Sequence, residues 1–103
     1  MRNMNDILRQ AQVMQNKLAK LQQEMAEKTY VASSGGGMVK AVVNGKQELI
    51  KLTIDPSAME GNDVEMLQDL VLAAVNEGLR IARETMEREM TALSGGIKIP
   101  GLF

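Results

Sequence analysis

Lysines, arginines and carboxylates are the groups in this chain that could do chemistry, because its 103 residues include no histidine and no cysteine. That removes the usual zinc ligands, the thiol nucleophile and the commonest general acid–base group. Two chemistries remain: carboxylate work and the binding of phosphate by cations. Asp55, Glu60, Asp63, Glu65 and Asp69 form an acidic cluster. Their spacing lacks a calcium-loop pattern, and Asp55 and Asp63 stand where helix caps are wanted, so the cluster reads as structural. Gly35-Gly36-Gly37 would suit a phosphate-cradling loop only if a helix followed, and here a strand is expected. Gly45-Lys46 resembles the end of a nucleotide-binding loop, but Lys40 stands where its first glycine belongs and Gln47 where its Ser/Thr belongs. Both glycine segments read as turns, and no cofactor, metal or small-molecule substrate is expected.

The cations carry the remaining signal. Arg2, Arg9 and Lys20 fall within about 20° of one another on a helical wheel, and Lys17 and Lys28 flank them. Lys40, Lys46 and Lys51 add charge from a predicted sheet. Residues 1–54 hold eight basic residues against four acidic ones, and residues 55–103 hold four against nine. The chain is therefore electrically two-sided although its net charge is −1, so one part can attract phosphate while the other repels it. Arg80 and Arg83 could reach a phosphate too, but Arg80, Arg83 and Arg88 sit among Glu77, Glu84, Glu87 and Glu89. Glu84 and Arg88 have the favourable i,i+4 order for self-pairing. The aromatic residues are Tyr30 and Phe103 alone, too few for a base-stacking platform. Any nucleic-acid role should be directed at the backbone of a duplex.

The elements that must position these groups follow from periodicity. Met4, Ile7, Ala11, Met14, Leu18, Leu21 and Met25 make a heptad seam, which predicts a helix over about 4–28, about 36 Å long. Strands are predicted at about 29–33, 38–43 and 48–54, with Asn44-Gly45 as a two-residue hairpin turn. Ile50, Leu52 and Ile54 alternate along one face. Asp55-Pro56 opens a single turn. Asn62 with Glu65 resembles a capping box that starts a second helix over about 63–93, and 94–103 is a tail. The fold class is α+β: a three-stranded antiparallel meander between two long helices, in one domain of 1–103.

Both helices outrun the ~20 Å depth of such a sheet. On the second, Leu67, Leu70, Val71, Ala74, Gly78 and Ile81 form one stripe; Leu72, Val75, Leu79, Met86 and Met90 form another. The second stripe exceeds what one sheet needs, which predicts a homodimer interface there. The alternative is that the helices pack on each other beyond the sheet. No apolar run approaches the ~20 residues that span a bilayer, and residues 1–10 do not read as a secretory signal. A cytoplasmic protein with no membrane partner is expected.

The sequence also resembles a known family. Gln-Ala-Gln and Met-Gln-Asn-Lys-Leu within 10–18, Gly-Gly-Gly-Met-Val-Lys at 35–40 and Val-Asn-Gly-Lys at 43–46 come first. Ile-Asp-Pro-Ser at 54–57, Asp-Val-Glu-Met-Leu-Gln-Asp-Leu at 63–70 and Ala-Ala-Val-Asn-Glu at 73–77 follow. Gly-Gly at 95–96 and Ile-Pro-Gly-Leu at 99–102 close the series. In this order and spacing they resemble the YbaB/EbfC family of bacterial nucleoid-associated proteins. The resemblance implies an α-β-β-β-α fold and a tweezer-like homodimer. It also implies binding of double-stranded DNA with little sequence preference, a place in the nucleoid and an influence on gene expression. It brings no contact motif, so the DNA-binding candidates rest on the charge map: Arg2, Arg9, Lys17, Lys20, Lys40, Lys46, Arg80 and Arg83. The competing reading is an adaptor whose helical arms grip another protein.

Overall fold

The structure, a computed structural model, describes residues 3–93. Arg2 and the tail at 94–103 lie outside the described residues. Helix α1 spans Met4–Glu27 and is opened by Asn3, whose side-chain oxygen accepts from the Asp6 N–H at 2.9 Å. With no proline or glycine inside, it runs unbroken until the backbone turns extended at Lys28. Strands β1 (Thr29–Ser34), β2 (Val39–Asn44) and β3 (Leu49–Ile54) follow as an antiparallel meander in the order β1-β2-β3. Short 3₁₀ segments lie at Gly35–Gly37 and Pro56–Asn62, and helix α2 spans Val64–Leu93. This is the expected α-β-β-β-α order.

α2 packs across β1 and β2. Its sheet-facing side is built from small residues: Ala74, Gly78 and Ala82 are buried at four-residue spacing. A Cβ on Gly78 would lie 3.3 Å from a Val43 methyl, so helix and strand backbones approach closely. Val39, Ala41 and Ala74 form the core, with Leu67, Leu70, Val71 and Val75 against it. The Ser34 hydroxyl donates to the Leu70 carbonyl at 2.6 Å and fixes the helix lengthwise on the sheet. Tyr30 also points inward, and its hydroxyl is buried without a hydrogen-bond partner. Burial raises its pKa, assisted by the charge of Glu89.

Three local expectations are corrected. The hairpin loop has three residues, not two: Asn44 N–H donates to the Glu48 carbonyl at 3.0 Å, and Gln47 takes the left-handed conformation at φ 63°. Gly45 serves a different purpose. Its N–H donates to the Lys28 carbonyl at 3.0 Å, and a Cβ there would sit 1.8 Å from the Met25 carbonyl oxygen. The end of α1 rests on that glycine. The second helix is capped by Asp63, whose carboxylate accepts from Met66 N–H at 3.0 Å, rather than by Asn62, which is held at φ 54°. Finally, the β2–β3 register steps from Val42↔Lys51 to Val43↔Leu49. Ile50 is the extra residue of a bulge and drops out of the alternation with Leu52 and Ile54.

α1 and α2 do not zip together. Met25 at the base of α1 is buried, and Leu18 and Leu21 are half-buried. Towards the tip exposure climbs through Met14 (44%) and Ile7 (51%) to Met4 (66%). α1 meets α2 only near its own base, and the molecule extends over 74 × 20 × 17 Å.

Candidate nucleic-acid interface

α1 carries Arg9, Lys17 and Lys20 along its exposed surface. The helix is long enough to present them as a ridge because nothing from the sheet covers residues 4–17. The ridge is not purely basic, since Met4–Glu27 also contains Asp6, Glu24 and Glu27, three acids against three cations. None of the six forms an ion pair: among the described residues the only ion pairs are those of Arg80.

Arg80 is differently placed. Its Nε donates to Glu77 at 3.0 Å and one terminal nitrogen to Glu84 at 2.6 Å, with a further contact to Glu77. The hydrogen bond from Arg80 lowers the Glu77 pKa, and the same bond raises that of Arg80. The expected Glu84–Arg88 pairing is thus replaced: Glu84 turns back to Arg80, which already bonds Glu77 one turn away on the N-terminal side. Arg80 is neutralised by its own helix, whereas Arg83 is exposed and outside any ion pair.

The sheet contributes the other cations. The register puts Ser33, Lys40 and Thr53 in one row across the three strands, and Val31, Val42 and Lys51 in the next. Their neighbours along each strand, Ala32, Val39, Ala41 and Val43, are buried under α2, so these rows lie on the opposite face, away from the helix. Lys46 stands at the exposed hairpin tip.

The acidic cluster has structural work. Asp55 accepts from Ser57 N–H at 2.9 Å, and that bond, followed by the charge of Lys40, holds its carboxyl below the usual range. Asp63 caps α2. Among the described residues no three acidic side chains gather as a metal site would require, and no helix is long and apolar enough to cross a membrane.

The residues expected at a dimer interface are scattered in accessibility. Leu72 is open at 59%, Val75, Leu79 and Met86 are half-buried, and Met90 is buried within the protomer at 5%. The larger uncovered apolar surface lies elsewhere. All six residues of β3 are exposed, including Leu49, Ile50, Leu52 and Ile54, because α2 covers the other two strands. The signal for this was present in the sequence: a single helix about 10 Å across is too narrow to roof three strands about 5 Å apart.

Comparison with known proteins adds four findings. The profile of the YbaB/EbfC DNA-binding family matches residues 1–97. A nucleoid-associated protein of Thermoanaerobacter pseudethanolicus is 52% identical over 101 residues, covering 98% of this chain and 91% of that protein. A nucleoid-associated protein of Moorella thermoacetica is also 52% identical, covering 98% and 97%. Among solved structures, an uncharacterized protein of Helicobacter pylori superposes with a TM-score of 0.76 at 25% identity, over 90% of this chain and 98% of that one.

Proposed function

Because this chain belongs to the YbaB/EbfC DNA-binding family, a family of DNA binders and not of enzymes, we propose that it coats and bridges double-stranded DNA with little sequence preference. In this reading it acts as a homodimer in the nucleoid and influences the expression of the genes it covers. The observation that carries the reading is the family match over nearly the whole chain, joined to a helical arm whose cations are free of ion pairs. Arg9, Lys17 and Lys20 on α1 would neutralise phosphates together with Arg2, and Lys40, Lys46 and Arg83 would contribute from the body. Arg80 is assigned a smaller part than its position suggests, because Glu77 and Glu84 already compete for it. Phosphate contacts position a protein without reading bases. With Tyr30 turned inward, no described aromatic is offered for stacking.

A second copy would cover the apolar surface that the protomer leaves open on β3, on Leu72 and along the seam of α1. Two arms carried on one dimer could then reach the same duplex or two different ones.

A gel shift with several unrelated duplexes across a salt series tests the proposal. Binding should be similar for all duplexes and should fall steeply with salt, because counterion release drives it. Arg9→Gln with Lys20→Gln should weaken every duplex about equally. Salt-independent affinity would remove the proposed mechanism. An absence of duplex binding at physiological salt, together with a stoichiometric protein partner, would favour arms that grip a protein instead.

A further inference from the structure

The face of the sheet turned away from α2 carries two lysines, Lys40 and Lys51, that no carboxylate bridges among the described residues. Its residues are Thr29, Val31 and Ser33 from β1, Lys40, Val42 and Asn44 from β2, and Lys51 and Thr53 from β3. That is two lysines with one carboxylate beside them, Glu48, which is held by the Asn44 side chain, whereas α1 balances three cations with three acids. Lys40 lies in one row between the hydroxyls of Ser33 and Thr53. Lys51 lies in the neighbouring row. From strand spacing and rise, the two lysine Cα atoms are about 8 Å apart. Flexible stems of that separation can reach neighbouring phosphates of one strand, and the flanking hydroxyls can donate to the same oxygens.

We propose that this open sheet face is a second phosphate-contacting surface for duplex DNA, built on Lys40, Lys51, Ser33 and Thr53 and separate from the ridge on α1. The inference rests on the DNA-binding reading above and adds a place and a set of residues to it. Charge decides between the two occupants the face could take. A two-fold contact with a second copy would bring two lysine-bearing patches together, and like charges repel. A polyanion is attracted by the same arrangement. The two nearby carboxylates are engaged locally: Asp55 accepts from Ser57 N–H, and Glu48, opposite Asn44, accepts from the Asn44 side chain at 3.0 Å. Neither bridges Lys40 or Lys51.

The test is fluorescence anisotropy of a labelled duplex across a salt series, using the full chain and three double variants. Lys40→Gln/Lys51→Gln should lower the slope of log affinity against log salt by about two per protomer in contact. At about 0.1 M salt it should weaken binding roughly tenfold or more. Lys40→Arg/Lys51→Arg should restore the slope. Arg9→Gln/Lys20→Gln serves as the independent arm control. If the arm variant weakens binding and the sheet variant leaves the slope unchanged, the inference is overturned and the DNA-binding reading stands. If the unsubstituted chain binds no duplex, the reading itself fails. Acetylation footprinting of the unsubstituted chain avoids any folding question. Protection of Lys40 and Lys51 only when duplex is present supports the proposal. Protection that instead grows with protein concentration alone would seat a second copy there and refute it.

Discussion

At the scale of single residues, two glycines in this fold are there for space, and they differ in how much. At Gly45 the missing Cβ would meet backbone: the Met25 carbonyl oxygen at 1.8 Å and its carbon at 2.6 Å. Backbone cannot rotate away, so Gly45→Ala must push the end of α1 off the hairpin. A loss of at least about 2 kcal/mol is expected in chemical denaturation, at the upper end of overpacking costs. At Gly78 the Cβ would meet Val43 methyls at 3.3 and 3.4 Å, atoms that can yield by a few tenths of an ångström. Gly78→Ala gains about 1 kcal/mol of helix propensity against that crowding, so its net effect should lie within about 1 kcal/mol of zero. The reverse order of the two substitutions would contradict the packing described. Neither role was legible in the chain. Asn44-Gly45 is the strongest short signal for a tight turn, and local chemistry cannot reveal that a helix eighteen residues upstream comes to rest there.

Elements are where sequence reasoning succeeds best here, and the reasons are physical. α1 shows a seam seven positions deep with no breaker, and the strands are dense in β-branched residues bounded by glycine, so periodicity and punctuation agree. Boundaries are weaker. Asn62, Asp63 and Glu65 offer two competing caps for α2, and the left-handed backbone of Asn62 hands the role to Asp63. Asp63→Ala should therefore cost about 1 kcal/mol. Asn62→Gly should be neutral or slightly stabilising, since glycine accepts φ 54° without penalty. A thermal melt in which Asn62→Gly is the more damaging change would restore the capping box. The site was legible as a set of cations but not as an arrangement. The sequence shows Lys40 and Lys51; only the register reveals that they share a face with Ser33 and Thr53. Likewise Glu84 has arginines four residues away on both sides, and the choice of Arg80 over Arg88 depends on Glu77 drawing that guanidinium into a double pairing.

For the whole molecule, apolar surface is unevenly covered. α2 roofs two strands of three, and the tip of α1 touches nothing. The sequence, by helix length against sheet depth, seats a partner on α2; in the protomer the larger bare surface lies on β3. Met90 is consumed inside the protomer and β3 is left bare, because which strand lies beyond the helix is a matter of tertiary placement. Sedimentation equilibrium at micromolar concentration should give twice the 11.3 kDa of one chain. Leu52→Glu, at a position 38% exposed in the protomer, should shift that mass towards the single chain while leaving its helical circular dichroism in place. A monomer before substitution would contradict the proposed dimer.

The turn at Gly35–Gly37 has a consequence of another kind. All three residues hold positive φ, at 61°, 67° and 96°, and around Gly36 and Gly37 nothing lies within 4 Å of where a Cβ would project. Size is therefore no obstacle at those two positions; handedness is. An ordinary side chain is disfavoured there by its own stereocentre, while a residue of the opposite hand prefers that backbone. A chain assembled with D-alanine at residue 36 should fold at least as readily as the natural one, having fewer unfolded shapes to abandon. The hinge between the first two strands is the place where this protein, made wholly of one chirality, is shaped for the other.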